Sequence, residues 1–123
     1  MLASQTKVLL VDDEPSVHGM LGLILRKAGY FVGGARDGVE ALRKFKQGSW
    51  NIVITYRSMP NMTAEDFAAE LKTISPAVPL ILITGCLRAE TRRDLFDDIL
   101  EKPFPKARLL EAIERLLTAR APR

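Results

Sequence analysis

The sequence predicts an α/β domain of (βα)5 type: a five-stranded parallel sheet, doubly wound, with helices on both faces. Two observations predict it. Five short apolar runs alternate with stretches whose apolar residues recur at helical spacing. The runs are apolar at nearly every position, which suits strands covered on both sides rather than a sheet with one wet face. The chain has 123 residues and is 47% hydrophobic, enough for one core and one domain over 1–123, with its core at about 7–117. It shows no internal repeat and leaves no room for a second domain.

Lys7–Val11 reads as a buried first strand. Asp12-Asp13-Glu14-Pro15 follows; Pro15 suits the first turn of a helix, and the acids suit its positive N-terminal end. Val17, Leu21, Ile24, Leu25 and Ala28 mark the inner stripe of that helix, and Gly29 ends it. Phe31–Ala35 is the second strand, in which Gly33-Gly34 either weakens the pairing or admits a close neighbour. Asp37 caps a second helix with Val39, Leu42 and Phe45 inward, closed by Gly48. Ile52–Tyr56 is the third strand and 57–62 a loop. Thr63 caps the third helix, with Phe67, Leu71 and Ile74 inward, and Ser75-Pro76 and Pro79 bracket the next turn. Leu80–Thr84 is the fourth strand. Residues 85–97 carry only Leu87, Leu95 and Phe96 as large apolar positions, so the fourth helix is expected to be short and poorly buried. The fifth strand spans 99–101, Lys102-Pro103-Phe104-Pro105 is a stiff turn, and Leu109, Leu110, Ile113, Leu116 and Leu117 mark an amphipathic fifth helix that frays from Thr118.

Composition narrows the function. A single cysteine, Cys86, cannot pair within the chain and fits a reducing compartment. The apolar runs are too short to span a bilayer, so a soluble, cytoplasmic domain without membrane contact is expected. The net charge of +3 serves solubility. No block of five like charges occurs and no helix-turn-helix fits, so nucleic acid is not expected as a partner.

In a sheet of this kind ligands bind beyond the carboxyl ends of the strands. Asp12 and Asp13, Tyr56, Thr84 and Lys102 stand at those ends, on strands one, three, four and five. Taken singly they read as helix-start acids, strand-end hydroxyls and a solvated cation. Gathered together, two acids, a hydroxyl and an amine suit a phosphoryl group and Mg²⁺, which takes oxygen ligands while the amine offsets phosphoryl charge.

The segments Val11-Asp12-Asp13-Glu14, Met59-Pro60-Asn61-Met62, Ile83-Thr84-Gly85 and Glu101-Lys102-Pro103-Phe104 resemble those of CheY-like receiver domains of bacterial two-component response regulators, in the right order and over almost the whole chain. The resemblance implies the flavodoxin-like strand order 2-1-3-4-5. It implies Asp12, Asp13 and the backbone carbonyl of Ser58 as Mg²⁺ ligands, Thr84 as the hydroxyl that meets the phosphoryl group, and Lys102 as its cationic partner, aimed by a cis bond to Pro103. The partners it implies are a histidine kinase, a phosphotransfer protein or another receiver. It also implies a homodimer face made of the fourth helix, fifth strand and fifth helix.

Three positions depart from the family. The acceptor aspartate stands four residues before the proline of the Met-Pro pair, and here that residue is Tyr56. A phenol with a pKa of about 10 is almost wholly neutral at pH 7, and one carboxylate ligand is lost, so Mg²⁺ binding should weaken and no firm cofactor is expected. Lys102 would then pair with Asp12 or Asp13, with the Tyr56 hydroxyl donating to the same carboxylates. The switch position, which pairs with Thr84 in the family and usually holds an aromatic, is Ile99; Phe96 is the candidate to replace it in part. Lys102 comes only 18 positions after Thr84, about a helical turn short for the family, so the fourth helix is shortened. These changes lead to an atypical, stand-alone receiver, not an enzyme. It would act by protein–protein interaction without phosphorylation at the usual site. The alternative is an active phospho-acceptor using Mg²⁺ and the hydroxyl of Tyr56 or Ser58.

Smaller signals have bland readings. His18 on the first helix reads as an exposed histidine rather than a phosphorylated one. Arg88, Arg92 and Arg93 read as a solvated face rather than a patch for acidic partners, and Cys86 as inert rather than redox-active.

Overall fold

The structure, a computed structural model, describes residues 6–13, 15–57, 59–86 and 91–119, with the side chains of 15–18 not described. The elements run β1 (Lys7–Val11), α1 (Pro15–Lys27), β2 (Phe31–Ala35), α2 (Gly38–Gln47), β3 (Ile52–Tyr56), α3 (Ala64–Ile74), β4 (Leu80–Thr84), a 3-10 turn (Arg93–Leu95), β5 (Asp98–Glu101) and α4 (Lys106–Ala119). Every strand pair is parallel and the order is β2-β1-β3-β4-β5, as expected.

The period of two along each strand sorts side chains into two layers. Val8, Leu10, Ile52, Ile54, Ile81 and Ile83 meet α1 and α4 through Leu21, Leu25, Leu109 and Ile113. Leu9, Val11, Val53, Leu80 and Leu82 meet α2 and α3 through Leu42, Phe67 and Leu71. Helices on both faces explain why the strand sequences are continuous apolar runs.

The helix ends follow local chemistry. Gly29 has φ 101°, and the bonds Tyr30 N–H to Leu25 O (3.1 Å) and Gly29 N–H to Arg26 O (3.0 Å) close α1 as a Schellman motif. Asp37 caps α2 by accepting the Glu40 N–H at 2.8 Å, while Glu40 accepts the Arg36 N–H at 2.6 Å. Thr63 caps α3 by accepting the Asp66 N–H at 3.0 Å.

Both sheet edges are blunted by side chains. On the outer edge of β2, Arg26 donates to the Val32 carbonyl and Lys44 to that of Gly34. On the outer edge of β5, the Asp98 carboxylate accepts the Ile99 N–H at 2.8 Å and also binds Arg108 and Arg115. Open ladder groups are thus occupied within the chain.

Several expectations are corrected. Between β4 and β5 the only helical element among the described residues is the 3-10 turn; Leu87 and Arg88 lie outside them. The described part of the stretch carries only Leu95 and Phe96 as large apolar side chains, too few for an amphipathic helix. The fifth helix of the sequence reading is therefore α4. Strand β5 starts one residue early, at Asp98, because the β4 ladder extends to the Ile81–Asp98 pair. Val39 and Ile74, read as inward, are exposed, since Ala41 and Leu42 on α2 and Phe67, Ala68 and Leu71 on α3 already fill the layer beneath them. The fraying of 120–123 concerns residues outside the description, and α4 runs to Ala119.

Candidate functional site

The strand ends bring the predicted residues to one rim of the sheet. Asp12 directly follows β1; it is buried, and its N–H donates to the Ala35 carbonyl at 2.9 Å. Asp13, next to it, is exposed. Tyr56 ends β3 at 7% exposure and Thr84 ends β4 at 2%. Lys102 follows β5, and its N–H donates to the Thr84 carbonyl at 2.8 Å, which fastens the end of β5 to that of β4. The Lys102–Pro103 bond is cis, as the resemblance implied. Ser58 lies outside the described residues.

Tyr56 belongs to the α1/α4 layer, among residues such as Leu10, Ile54 and Ile83. Burial pushes its phenol well above the usual range, and the negative charge of Asp12 pushes it the same way. The Lys102 Nζ sits over the ring, 5.0 Å from its centroid. Where pairing of Lys102 with Asp12 or Asp13 was expected, the contact the structure shows for its ammonium is with the Tyr56 ring. The physical reason is that the ring fills the rim of the sheet and presents a π-face to the ammonium.

Thr84 is committed locally. Its Oγ1 donates to the Cys86 carbonyl at 3.0 Å and accepts the Cys86 N–H at 3.2 Å, so the hydroxyl closes the turn after β4. Cys86 itself is exposed. Ile99 is half-buried against the α2/α3 layer, and Phe96 is buried within that layer.

One cluster was missed by the sequence reading. Arg57, one residue past β3, pairs with Glu65 of α3 at 2.9 Å and donates to the hydroxyl of buried Thr91 at 3.1 Å. It straps the end of β3 to the segment that stands where the fourth helix was expected. A cation immediately after an apolar strand was the available signal, but its partners lie 8 and 34 residues away in sequence. Of the three arginines read as a face, Arg92 pairs with Asp94 at 2.9 Å, Arg93 is exposed and Arg88 lies outside the described residues, as does the His18 side chain.

The donor set does not fit the magnesium site that the resemblance implies. Among the described residues no group of three or more His, Cys, Asp or Glu is gathered to hold a metal. The third strand end supplies a neutral phenol in place of an anionic oxygen, and an ammonium rests on that phenol's ring.

Comparison with known proteins gives a consistent match. The family described as the response regulator receiver domain matches residues 8–114. The chain is 33% identical over 115 residues to the chemotaxis protein CheY of Thermotoga maritima, covering 89% of this chain and 96% of that protein. It is 35% identical over 120 residues to the transcriptional regulatory protein GlrR of Escherichia coli K12, covering 94% of this chain but only 27% of that longer protein. The chain thus spans about a quarter of that regulator and nearly all of CheY. The crystal structure of the response regulator protein TrrA from Thermotoga maritima, in complex with Mg²⁺-BeF, superposes with a TM-score of 0.85 at 30% identity, covering 90% of this chain and 98% of that one. No helix among the described residues is long and apolar enough to cross a membrane.

Proposed function

Because the chain belongs to the response regulator receiver family of two-component signalling, we propose that it is an atypical receiver that acts by protein–protein contact, with no phosphoryl group accepted at position 56. One observation carries this reading. Where the resemblance sets the acceptor carboxylate, Tyr56 is buried and its phenol is held neutral by burial and by Asp12. Phosphoryl transfer needs an in-line, charged or readily deprotonated nucleophile. With a pKa above the ordinary value of about 10, fewer than roughly one phenol in a thousand is ionised at pH 7.

In this reading the partners are those of the family: a histidine kinase, a phosphotransfer protein or another receiver. The domain sequesters or competes rather than relays, and is not an enzyme. The acting unit is the single receiver domain, with its core at about 7–117. The shortened connection between β4 and β5, strapped by Arg57 and with half-buried Ile99 at the switch position, supports a domain outside the ordinary switching cycle.

The second reading, a phospho-acceptor working through the Tyr56 or Ser58 hydroxyl, is favoured by the presence of Asp12, Asp13, Thr84 and Lys102 at the strand ends. Intact-mass measurement after incubation with Mg²⁺ and acetyl phosphate separates the two, with Tyr56→Asp run alongside. The first reading expects a phosphoryl adduct on the variant only. Labelling of the unaltered chain overturns it, and mapping the adduct to Tyr56 or Ser58 establishes the second.

A further inference from the structure

We propose that Lys102, with its ammonium seated on the Tyr56 ring, is the cation of this pocket in place of a divalent metal, and that the domain is insensitive to Mg²⁺. This inference deepens the functional reading and rests on the same pocket.

Three observations carry it. The ammonium lies 5.0 Å from the Tyr56 ring centroid, within the range where the ring quadrupole attracts a cation. Its backbone is fixed by the hydrogen bond to the Thr84 carbonyl, so the stem leaves the sheet from a set point. Buried Asp12 follows β1 and buried Tyr56 ends the neighbouring strand β3, so carboxylate and ring stand at adjacent strand ends while the exposed ammonium lies on the ring.

The charge balance follows. With an aspartate at position 56, three carboxylates and one lysine would leave a net −2 for a divalent ion to neutralise. With Tyr56, two carboxylates and one lysine leave −1, and the lysine sits where its charge repels a second cation. Magnesium gives up its waters reluctantly and takes few protein ligands, so loss of one anionic oxygen together with a nearby ammonium removes most of its attraction.

The test reads the lysine and the metal separately. Proton NMR of the Lys102 ε-methylene reports ring stacking, and Mg²⁺ titration followed through the amides of Asp13 and Thr84 reports binding. An upfield ring-current shift is expected in the unaltered chain and in Tyr56→Phe, and should vanish in Tyr56→Leu. Saturable Mg²⁺ binding is expected in Tyr56→Asp, at least ten-fold tighter than in the unaltered chain. Lys102→Met, which keeps the apolar stem, should gain a measurable Mg²⁺ response.

Absence of the ring-current shift, equal Mg²⁺ affinity in the unaltered chain and Tyr56→Asp, or no gain in Lys102→Met each overturns the proposal. A chain that binds Mg²⁺ tightly yet is never labelled by acetyl phosphate refutes this inference and leaves the functional reading standing. A chain labelled without any Mg²⁺ response refutes the functional reading alone.

Discussion

Replacing Tyr56 by Phe and by Asp separates what its ring does from what its hydroxyl does. The residue is 7% exposed and packs in the layer between the sheet, α1 and α4. Removing a buried aromatic ring costs about 3–5 kcal/mol through lost transfer energy and the cavity left behind. An aspartate there also brings a second carboxylate near buried Asp12. The new carboxylate can pair with Lys102, but that side chain is exposed, so the gain is at most about 1 kcal/mol. The net expectation for Tyr56→Asp is a loss of about 3 kcal/mol, a fall in Tm of roughly 10 °C for a domain of this size. Tyr56→Phe keeps the ring and its hold on Lys102, and should stay within about 0.5 kcal/mol of the unaltered chain. Urea unfolding followed by the fluorescence of Trp50, the single tryptophan, measures both. If Tyr56→Phe loses as much as Tyr56→Asp, the hydroxyl and not the buried ring secures this position, and the reasoning fails. The same melts show whether Tyr56→Asp is folded in the acetyl phosphate assay.

Two further outcomes follow from the packing and the charges. A Cβ on Gly33 would stand 2.3 Å from the Trp50 ring, so Gly33→Ala should cost about 1–3 kcal/mol by urea melt and shift Trp50 emission as the ring is displaced; an unchanged midpoint would contradict the close packing. At the start of α2, Asp37 is held below the usual carboxylate range, first by the Glu40 N–H and also by Asn61 and Arg36, and Glu40 is held low, first by the Arg36 N–H. A depressed folded-state pKa gives stability that is present above the unfolded value of about 4 and is lost as pH falls through the folded value. Acid titration below about pH 4 should therefore loosen this helix start in the unaltered chain, and Asp37→Asn should flatten the dependence; parallel profiles for the two proteins would count against the assignment.

The sequence by itself settled the architecture because its signals are local. The strand runs, the Asp37 and Thr63 caps and Gly29 at the end of α1 each depend on a few neighbouring residues, and all appear where expected. The strand-end residues of the site were legible for the same reason, since alternation of strand and helix fixes which residues reach the rim. Tertiary structure decided what those residues do to one another. The contact of Lys102 with the Tyr56 ring was not foreseen, since pairing with a carboxylate was expected there. Arg57 reaches across the rim to Glu65 and Thr91. Val39 and Ile74 fit helical periodicity yet face outward. Such outcomes depend on which side chains fill a shared volume first, a competition among residues far apart in sequence that neither periodicity nor spacing encodes.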